Sequence, residues 1–156
     1  MMSDYFHFLA IGYGSPLRSD DGAGMRAAEL LQSMNIPGLK VISSHQLLPE
    51  HAELISRANL AFFLDAGVNV DQDGISAYLL TPAFQQEGVG HIGDPRELLA
   101  LAQGLYGSIP EAWMIILPAR NFEFGETISA ITEQGIKDGT EYVAKLCAQR
   151  QSACMK

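Results

Sequence analysis

Three side chains that could share one divalent metal ion stand far apart in the sequence: Asp21, Asp65 and His91. Asp21 lies in a stretch rich in glycine, Asp65 directly follows an apolar run, and His91 lies in a segment with several glycines. Two carboxylates and one imidazole suit a borderline cation such as zinc or nickel and leave coordination positions open for substrate or water. Each residue alone also has an ordinary structural explanation, so the prediction of a divided metal site rests on the three together.

The glycine-rich stretch reads GYGSPLRSDDGAG from residue 12 to residue 24. Its first two glycines resemble the start of a dinucleotide fingerprint, but Leu17 occupies the place of the third glycine and the preceding proline removes an amide donor. A phosphate would also face two adjacent carboxylates, so nucleotide binding is disfavoured. We expect Asp20 to cap the following helix, which leaves Asp21 to project toward the crevice above the sheet.

The order of apolar patterns predicts an α/β fold, a three-layer sandwich with helices on both faces of a five-stranded, mostly parallel, twisted sheet. Ligands of such sheets bind beyond the carboxyl ends of the strands, where Asp21 and Asp65 are expected. The predicted strand over 75–80 follows a connection too short for a crossover helix, so it should be an antiparallel edge strand. The other strands are predicted over 5–11, 39–43, 60–64 and 113–117.

Helices are predicted after the glycine-rich stretch, from Pro49, between an Asp94 cap and Gly107, and over 127–149, with Gly135 and Gly139 as weak points of the last. The expected buried faces of the first three helices are Ala27, Leu30, Leu31 and Met34, then His51, Leu54, Ile55 and Ala58, then Leu98, Leu101, Ala102 and Leu105. Residues 81–93 are expected to form a surface loop.

Composition narrows the possible functions. With 156 residues and 47% hydrophobic content, the chain predicts a single domain over 1–156, with a frayed tail from about residue 150. The net charge of −8 disfavours nucleic acid and anionic membranes as partners. We expect a cytoplasmic protein, since there is no apolar run of membrane-spanning length and no secretory signal. Cys147 and Cys154 match neither a zinc knuckle nor a redox pair, and we expect both to be reduced and without function.

The remaining histidines carry weaker hypotheses. His7 falls in the predicted first strand and is expected to be structural, whereas His45 and His51 flank the start of the second helix and could line a substrate groove. No serine elbow of the Gly-x-Ser-x-Gly type occurs, and no serine or cysteine nucleophile has a stronger claim than the three metal-type residues.

Taken together, these motifs resemble the hydrogenase maturation endopeptidases, which trim the large subunit of [NiFe] hydrogenases. The resemblance covers most of the chain and rests on GYGSPLRSDDGAG at 12–24, HQL and PE at 45–50, LDA at 64–66, and His91 ahead of a leucine-rich helix. The first motif is specific as a whole, and its wording is most similar to the branch that serves soluble bidirectional hydrogenases. Ser15 departs from the usual asparagine, but it keeps a short hydrogen-bonding side chain for the turn.

The resemblance implies that Asp21, Asp65 and His91 form a metal-binding and catalytic triad of an aspartyl-type protease. It implies further that the nickel belongs to the substrate, a precursor of the large subunit whose C-terminal extension is removed after nickel insertion. No organic cofactor is implied, and we expect a monomer. Whether a metal-bound water attacks or a carboxylate assists as general base stays open.

Two alternatives remain at the level of sequence. A receiver-like phosphoacceptor domain would use the acidic residues for magnesium and Asp65 for phosphorylation. The acidic pair lies about nine residues beyond the first strand instead of at its tip, and the last strand ends without the lysine that such a domain needs. A catalytically inert scaffold of the same fold would make the three site residues dispensable.

Overall fold

The computed structural model describes residues 7–68, 73–84 and 93–154. The strands are β1 (Phe8–Tyr13), β2 (Leu39–Ser44), β3 (Leu60–Gly67), β4 (Ser76–Leu80) and β5 (Glu111–Pro118). The helices are α1 (Ala23–Ser33), α2 (His51–Arg57), α3 (Pro95–Tyr106) and α4 (Ala130–Cys154), and a short 3₁₀ turn over Ser19–Gly22 precedes α1. The strands form one sheet in the order β2-β1-β3-β5-β4.

Four of the five strands are parallel, and β4 pairs with β5 in the antiparallel direction at the sheet edge. Helices α1 and α4 contribute to one hydrophobic core, while α2 and α3 contribute to a second core on the opposite face. The central strand β3 supplies both cores, with Phe62 and Leu64 on the α1 and α4 face and Phe63 on the other. The α/β fold class predicted from the sequence, including the antiparallel edge strand, is therefore confirmed.

Local signals located α3 well and predicted part of its buried face, since Leu98 and Ala102 are buried as expected. Asp94 Oδ1 accepts the backbone N–H of Arg96 at 2.9 Å, and Gly107 ends the helix with a φ of 73°. The buried side chains are Pro95, Leu98, Leu99, Ala100 and Ala102. Leu105, which was expected in the buried face, is 64% exposed.

The same correction applies to α1, where Leu30 and Met34 are exposed while Ala27, Ala28 and Leu31 are buried. This helix lies so close to β1 that a Cβ at Gly12 would stand 2.0 Å from the carbonyl oxygen of Gly24. Small residues therefore occupy the contact, and the leucine periodicity of the sequence did not predict it.

Helix α4 also differs from its prediction. Gly135 and Gly139 are close contacts, because a Cβ there would lie 2.4 Å from Pro118 Cδ and 2.7 Å from Leu117 Cδ2. The helix continues to Cys154, beyond the point where fraying was predicted. The Arg150 guanidinium accounts for part of this order, since it donates two hydrogen bonds of 2.8 Å to the Glu111 carboxylate.

Strand β1 begins at Phe8 and not at residue 5, so His7 lies outside it and is exposed. Cys147 is a free thiol in the core under α4, and burial raises its pKa to about 12, which keeps the thiol protonated. Of the helices in the described part of the chain, none combines the length and apolar character needed to cross a membrane.

Candidate functional site

The loop after β1 folds back on itself through two successive turns. The backbone N–H of Arg18 donates to the Ser15 carbonyl at 3.3 Å, and that of Asp21 donates to the Arg18 carbonyl at 3.1 Å. The half-buried Asp21 carboxylate accepts the Ser15 N–H at 3.0 Å. This hydrogen bond turns the Asp21 side chain back toward the end of β1.

Glycines let this loop and the start of α1 lie directly on the strand ends. A Cβ at Gly24 would lie 2.3 Å from the Tyr13 carbonyl oxygen and 2.5 Å from that of Leu64. Gly14 has a φ of 141°, and a Cβ there would lie 2.1 Å from the Asp21 carbonyl oxygen. The glycines thus bring the acidic pair close to the carboxyl ends of β1 and β3.

Asp20 does not cap α1, contrary to the sequence prediction, since no side chain caps that helix. Its fully buried carboxylate instead accepts the N–H groups of Arg120, Asn121 and Ser129 and the Ser129 hydroxyl, at 2.8 to 2.9 Å. Burial by itself would raise the pKa of this carboxyl, but these hydrogen bonds outweigh burial and lower the pKa below its usual value. Asp20 therefore ties the loop between β5 and α4 to the glycine-rich stretch.

Asp65 lies near the carboxyl end of β3 and is half-buried. Burial raises the pKa of its carboxyl to about 7, although a hydrogen bond from the Ala66 N–H acts against the rise. The Asp21 charge raises the pKa further, which places the two carboxylates within electrostatic range of each other. Among the described residues, these two predicted site residues are therefore brought together at one edge of the sheet.

A cleft of about 550 Å³ opens beside Asp65 on the α2 and α3 face. Tyr13 lines it, because Gly12 pairs with Leu64 across β1 and β3 and the next residues along the two strands are Tyr13 and Asp65. Other lining residues are Tyr78, Asp94, Arg96 and Met114.

Burial, followed by the charges of Asp65 and Asp94, raises the pKa of the Tyr13 hydroxyl, so this group stays protonated at neutral pH. Sequence reasoning missed Tyr13 as a residue of the site. Its place at the end of a strand, between two glycines, is the signal that could have identified it.

The third predicted ligand, His91, lies outside the described residues, and its role stays a prediction. Within residues 7–68, 73–84 and 93–154, no three His, Cys, Asp or Glu side chains are grouped to hold a metal ion. Asp21 and Asp65 supply carboxylate oxygens only, and the borderline cation expected from the sequence also calls for a nitrogen ligand such as the predicted His91. A complete site needs at least one ligand from elsewhere.

The other histidines do not join this site. His51 is buried, and its Nδ1 accepts the Leu48 N–H at 3.1 Å. Burial lowers the pKa of His51, so the ring is neutral and supports the start of α2. His45 is exposed just beyond the carboxyl end of β2.

Comparison with known proteins identifies the fold. No family model matches the chain, and no curated protein sequence matches it. Among solved structures, the [NiFe] hydrogenase maturation protease HycI from Thermococcus kodakarensis matches with a TM-score of 0.70 at 19% identity, over 94% of this chain and 95% of that one. The maturating endopeptidase HybD from Escherichia coli matches with a TM-score of 0.72 at 16% identity, over 94% and 93%.

HybD from Thermococcus kodakarensis matches with a TM-score of 0.71 at 18% identity, over 90% of this chain and 99% of that one. The three likenesses show a shared fold over nearly the whole length of each protein. They confirm the fold that the sequence resemblance implied and lend no support to the phosphoacceptor alternative.

Proposed function

We propose that this chain, which has the fold of the [NiFe] hydrogenase maturation proteases, is an endopeptidase that removes the C-terminal extension of a nickel-loaded large-subunit precursor. The observation that carries the proposal is the place of Asp65, whose carboxyl has a pKa of about 7, beside an open cleft and within electrostatic range of Asp21. A half-buried acid that titrates near neutral pH, close enough to a second carboxylate to feel its charge, is typical of acid–base chemistry.

Nickel enters this proposal as part of the substrate. Asp21 and Asp65, together with His91, would contact nickel already held by the precursor, and their negative charge favours a divalent cation. Binding of the nickel would place the scissile peptide bond of the precursor next to the cleft. A precursor without nickel would lack this contact and would not be positioned.

Hydrolysis then requires an attacking water and a proton for the leaving amine. Asp65 can accept a proton from the attacking water while the water oxygen bonds to the scissile carbonyl carbon. It can then return that proton to the departing nitrogen. The cleft beside Asp65 has room for the segment that flanks the scissile bond.

The direct test incubates the protein with a large-subunit precursor in nickel-loaded and nickel-free form and follows the released peptide by mass spectrometry. The wild type should cut only the loaded form, and Asp21→Asn should cut neither. Asp73→Asn, which changes an aspartate whose side chain is 83% exposed, is the matched control and should behave as wild type.

Each part of the proposal has its own contrary result. If the wild type cleaves neither precursor, the proposed endopeptidase activity is wrong. If Asp21→Asn is fully active, the proposed role of Asp21 is wrong. Equal cleavage of both forms would contradict the recognition of nickel but not the endopeptidase activity. We also expect the active protein to be a cytoplasmic monomer, and size-exclusion chromatography tests its oligomeric state.

A further inference from the structure

Two large exposed apolar residues lie on backbone segments that are hydrogen-bonded to each other at the glycine-rich stretch. Leu17 is 50% exposed and Phe124 is 87% exposed. Arg18 forms a parallel bridge with Gly125, and the Gly125 N–H donates to the Leu17 carbonyl at 2.8 Å. The residues just before the bridged pair, which we call the apolar pair, are therefore neighbours on two joined segments.

The backbone beneath the apolar pair is firmly held. The Ser19 N–H donates to the Gly125 carbonyl at 2.7 Å, and the Ser19 hydroxyl donates to the Glu123 carbonyl at 2.7 Å. Ser19 is buried and has a φ of 53°, a left-handed conformation that a residue with a side chain adopts at a cost in energy. The buried Asp20 carboxylate adds the contacts described above.

This construction maintains the exposure of the apolar pair. Single exposed apolar residues are common and need no explanation. Here, however, two of them lie on segments that backbone hydrogen bonds join, so the backbone that carries them cannot move inward without breaking those bonds. Preorganised aromatic and aliphatic side chains of this kind are typical contact points of protein interfaces.

The position of the apolar pair indicates the partner. Leu17 lies between Ser15 and Asp21, the two residues joined by the hydrogen bond that orients the Asp21 carboxylate. Because Leu17 lies on the same turn as Asp21, a folded protein that presents a metal to Asp21 would come close to the apolar pair. Phe124 is flanked by the exposed Glu123 and by Glu126, so a partner with basic residues around an apolar patch would be complementary.

We propose that Leu17 and Phe124 form a docking contact for the folded body of the large-subunit precursor. The inference rests on the proposed function for the identity of the partner. The apolar pair would bind the precursor itself, whereas the carboxylates would act on the nickel and the scissile bond. Loss of the apolar pair should consequently weaken association and leave the chemical step intact.

The test compares wild type with the double variant Leu17→Ala/Phe124→Ala. Affinity for the nickel-loaded precursor is measured by calorimetry in an Asp65→Asn background, and KM and kcat are measured without that change. The double variant should raise both Kd and KM about tenfold and change kcat less than about twofold. The matched control Leu105→Ala/Tyr106→Ala, which removes side chains 64% and 50% exposed at the far end of α3, should change neither.

The outcomes separate the two proposals. Unchanged Kd and KM in the double variant would overturn the docking contact even if cleavage proceeds. Binding that depends on the apolar pair but leads to no cleavage by the wild type would support docking and overturn the endopeptidase. A wild-type dimer that the double variant converts to a monomer would assign the apolar pair to a second copy of this chain and overturn the inference.

Discussion

Asp20 and Asp65 are both withdrawn from solvent at the same edge of the sheet, yet their surroundings shift their pKa values in opposite directions. The Asp20 carboxylate accepts four hydrogen bonds from Arg120, Asn121 and Ser129, and its pKa is lowered. The Asp65 carboxyl has the Ala66 N–H to offset burial, and its pKa rises to about 7. Burial favours the neutral acid in both cases, so the supply of donors decides the difference.

Asp20 therefore has a structural role, whereas Asp65 is suited to proton transfer. Asp20 uses its full charge to hold two loops together, and a proton there would break that anchor. Asp65 keeps a proton within easy reach at neutral pH, because burial outweighs the Ala66 N–H that opposes the rise in its pKa. Adjacent regions of one sheet edge can therefore combine a rigid support with a reactive group.

The largest expected effect comes from Asp65→Asn, which should reduce cleavage of the precursor by about a thousandfold or more, because the amide cannot exchange a proton. The folded protein should keep a thermal midpoint at or above that of wild type, since the substitution removes a half-buried carboxyl whose charged form burial disfavours. Activity is measured on the nickel-loaded precursor and stability by thermal unfolding. Retained cleavage, or a clear loss of stability, would erase the contrast with Asp20.

Asp20→Ala should show the opposite pattern at the level of stability. It leaves three backbone N–H groups and one hydroxyl without their acceptor, and the expected loss is about 3 kcal/mol of unfolding free energy in urea. Asp73→Asn, on an exposed aspartate paired with Arg120, should lose far less. If the two variants unfold alike, the anchoring role of Asp20 is wrong.

Gly24→Ala tests whether the positions of Asp20 and Asp21 depend on the close approach of α1 to the strand ends. The added Cβ would meet the carbonyl oxygens of Tyr13 and Leu64, and we expect a loss of about 2 to 3 kcal/mol from the forced separation. Gly104→Ala in α3, where a Cβ meets nothing within 4 Å, should instead add about 0.5 to 1 kcal/mol. Similar urea midpoints for the two variants would contradict this packing.

The smallest expected effect extends the comparison to a buried base. Burial lowers the pKa of His51 below 6.5, so the unfolded chain binds a proton more readily than the folded one. Stability should therefore fall as pH drops below about 6.5 and level off below the lowered pKa.

His51→Asn supplies the control for this prediction, because its side-chain oxygen can accept the Leu48 N–H without titrating. The fall in stability between pH 7 and pH 5, measured by urea unfolding, should shrink in the variant. An identical pH profile would mean that other groups cause the acid sensitivity.

Much of the fold could be predicted from local patterns. The apolar run at 60–64 predicted a central strand, and residues 60 to 64 of β3 are fully buried. Asp94 and Gly107 marked the ends of α3 because capping depends on a few neighbouring residues. The short connection before β4 predicted its antiparallel edge position, since chain length alone excludes a crossover helix.

Predictions that depended on distances between elements fared less well. Leucine spacing suggested the faces of α1 and α3, but Leu30, Met34 and Leu105 are exposed, and in α1 the closest approach to the sheet is made by Gly24. Gly135 and Gly139 read as weak points of a helix, yet they admit Pro118 and Leu117. Helical periodicity indicates which face of a helix is apolar, but it does not indicate how closely the helix approaches the sheet.

The candidate site shows the same division. The sequence by itself determined which residues could act, because Asp21 and Asp65 follow strands whose carboxyl ends meet at one edge of a parallel sheet. Only the tertiary structure decided how the pKa values of Asp20 and Asp65 differ. The donors to Asp20 come from residues about a hundred positions away, and the burial that raises the pKa of Asp65 depends on strands and helices packed around it. Proton affinity is a property of these long-range surroundings, which no local pattern encodes.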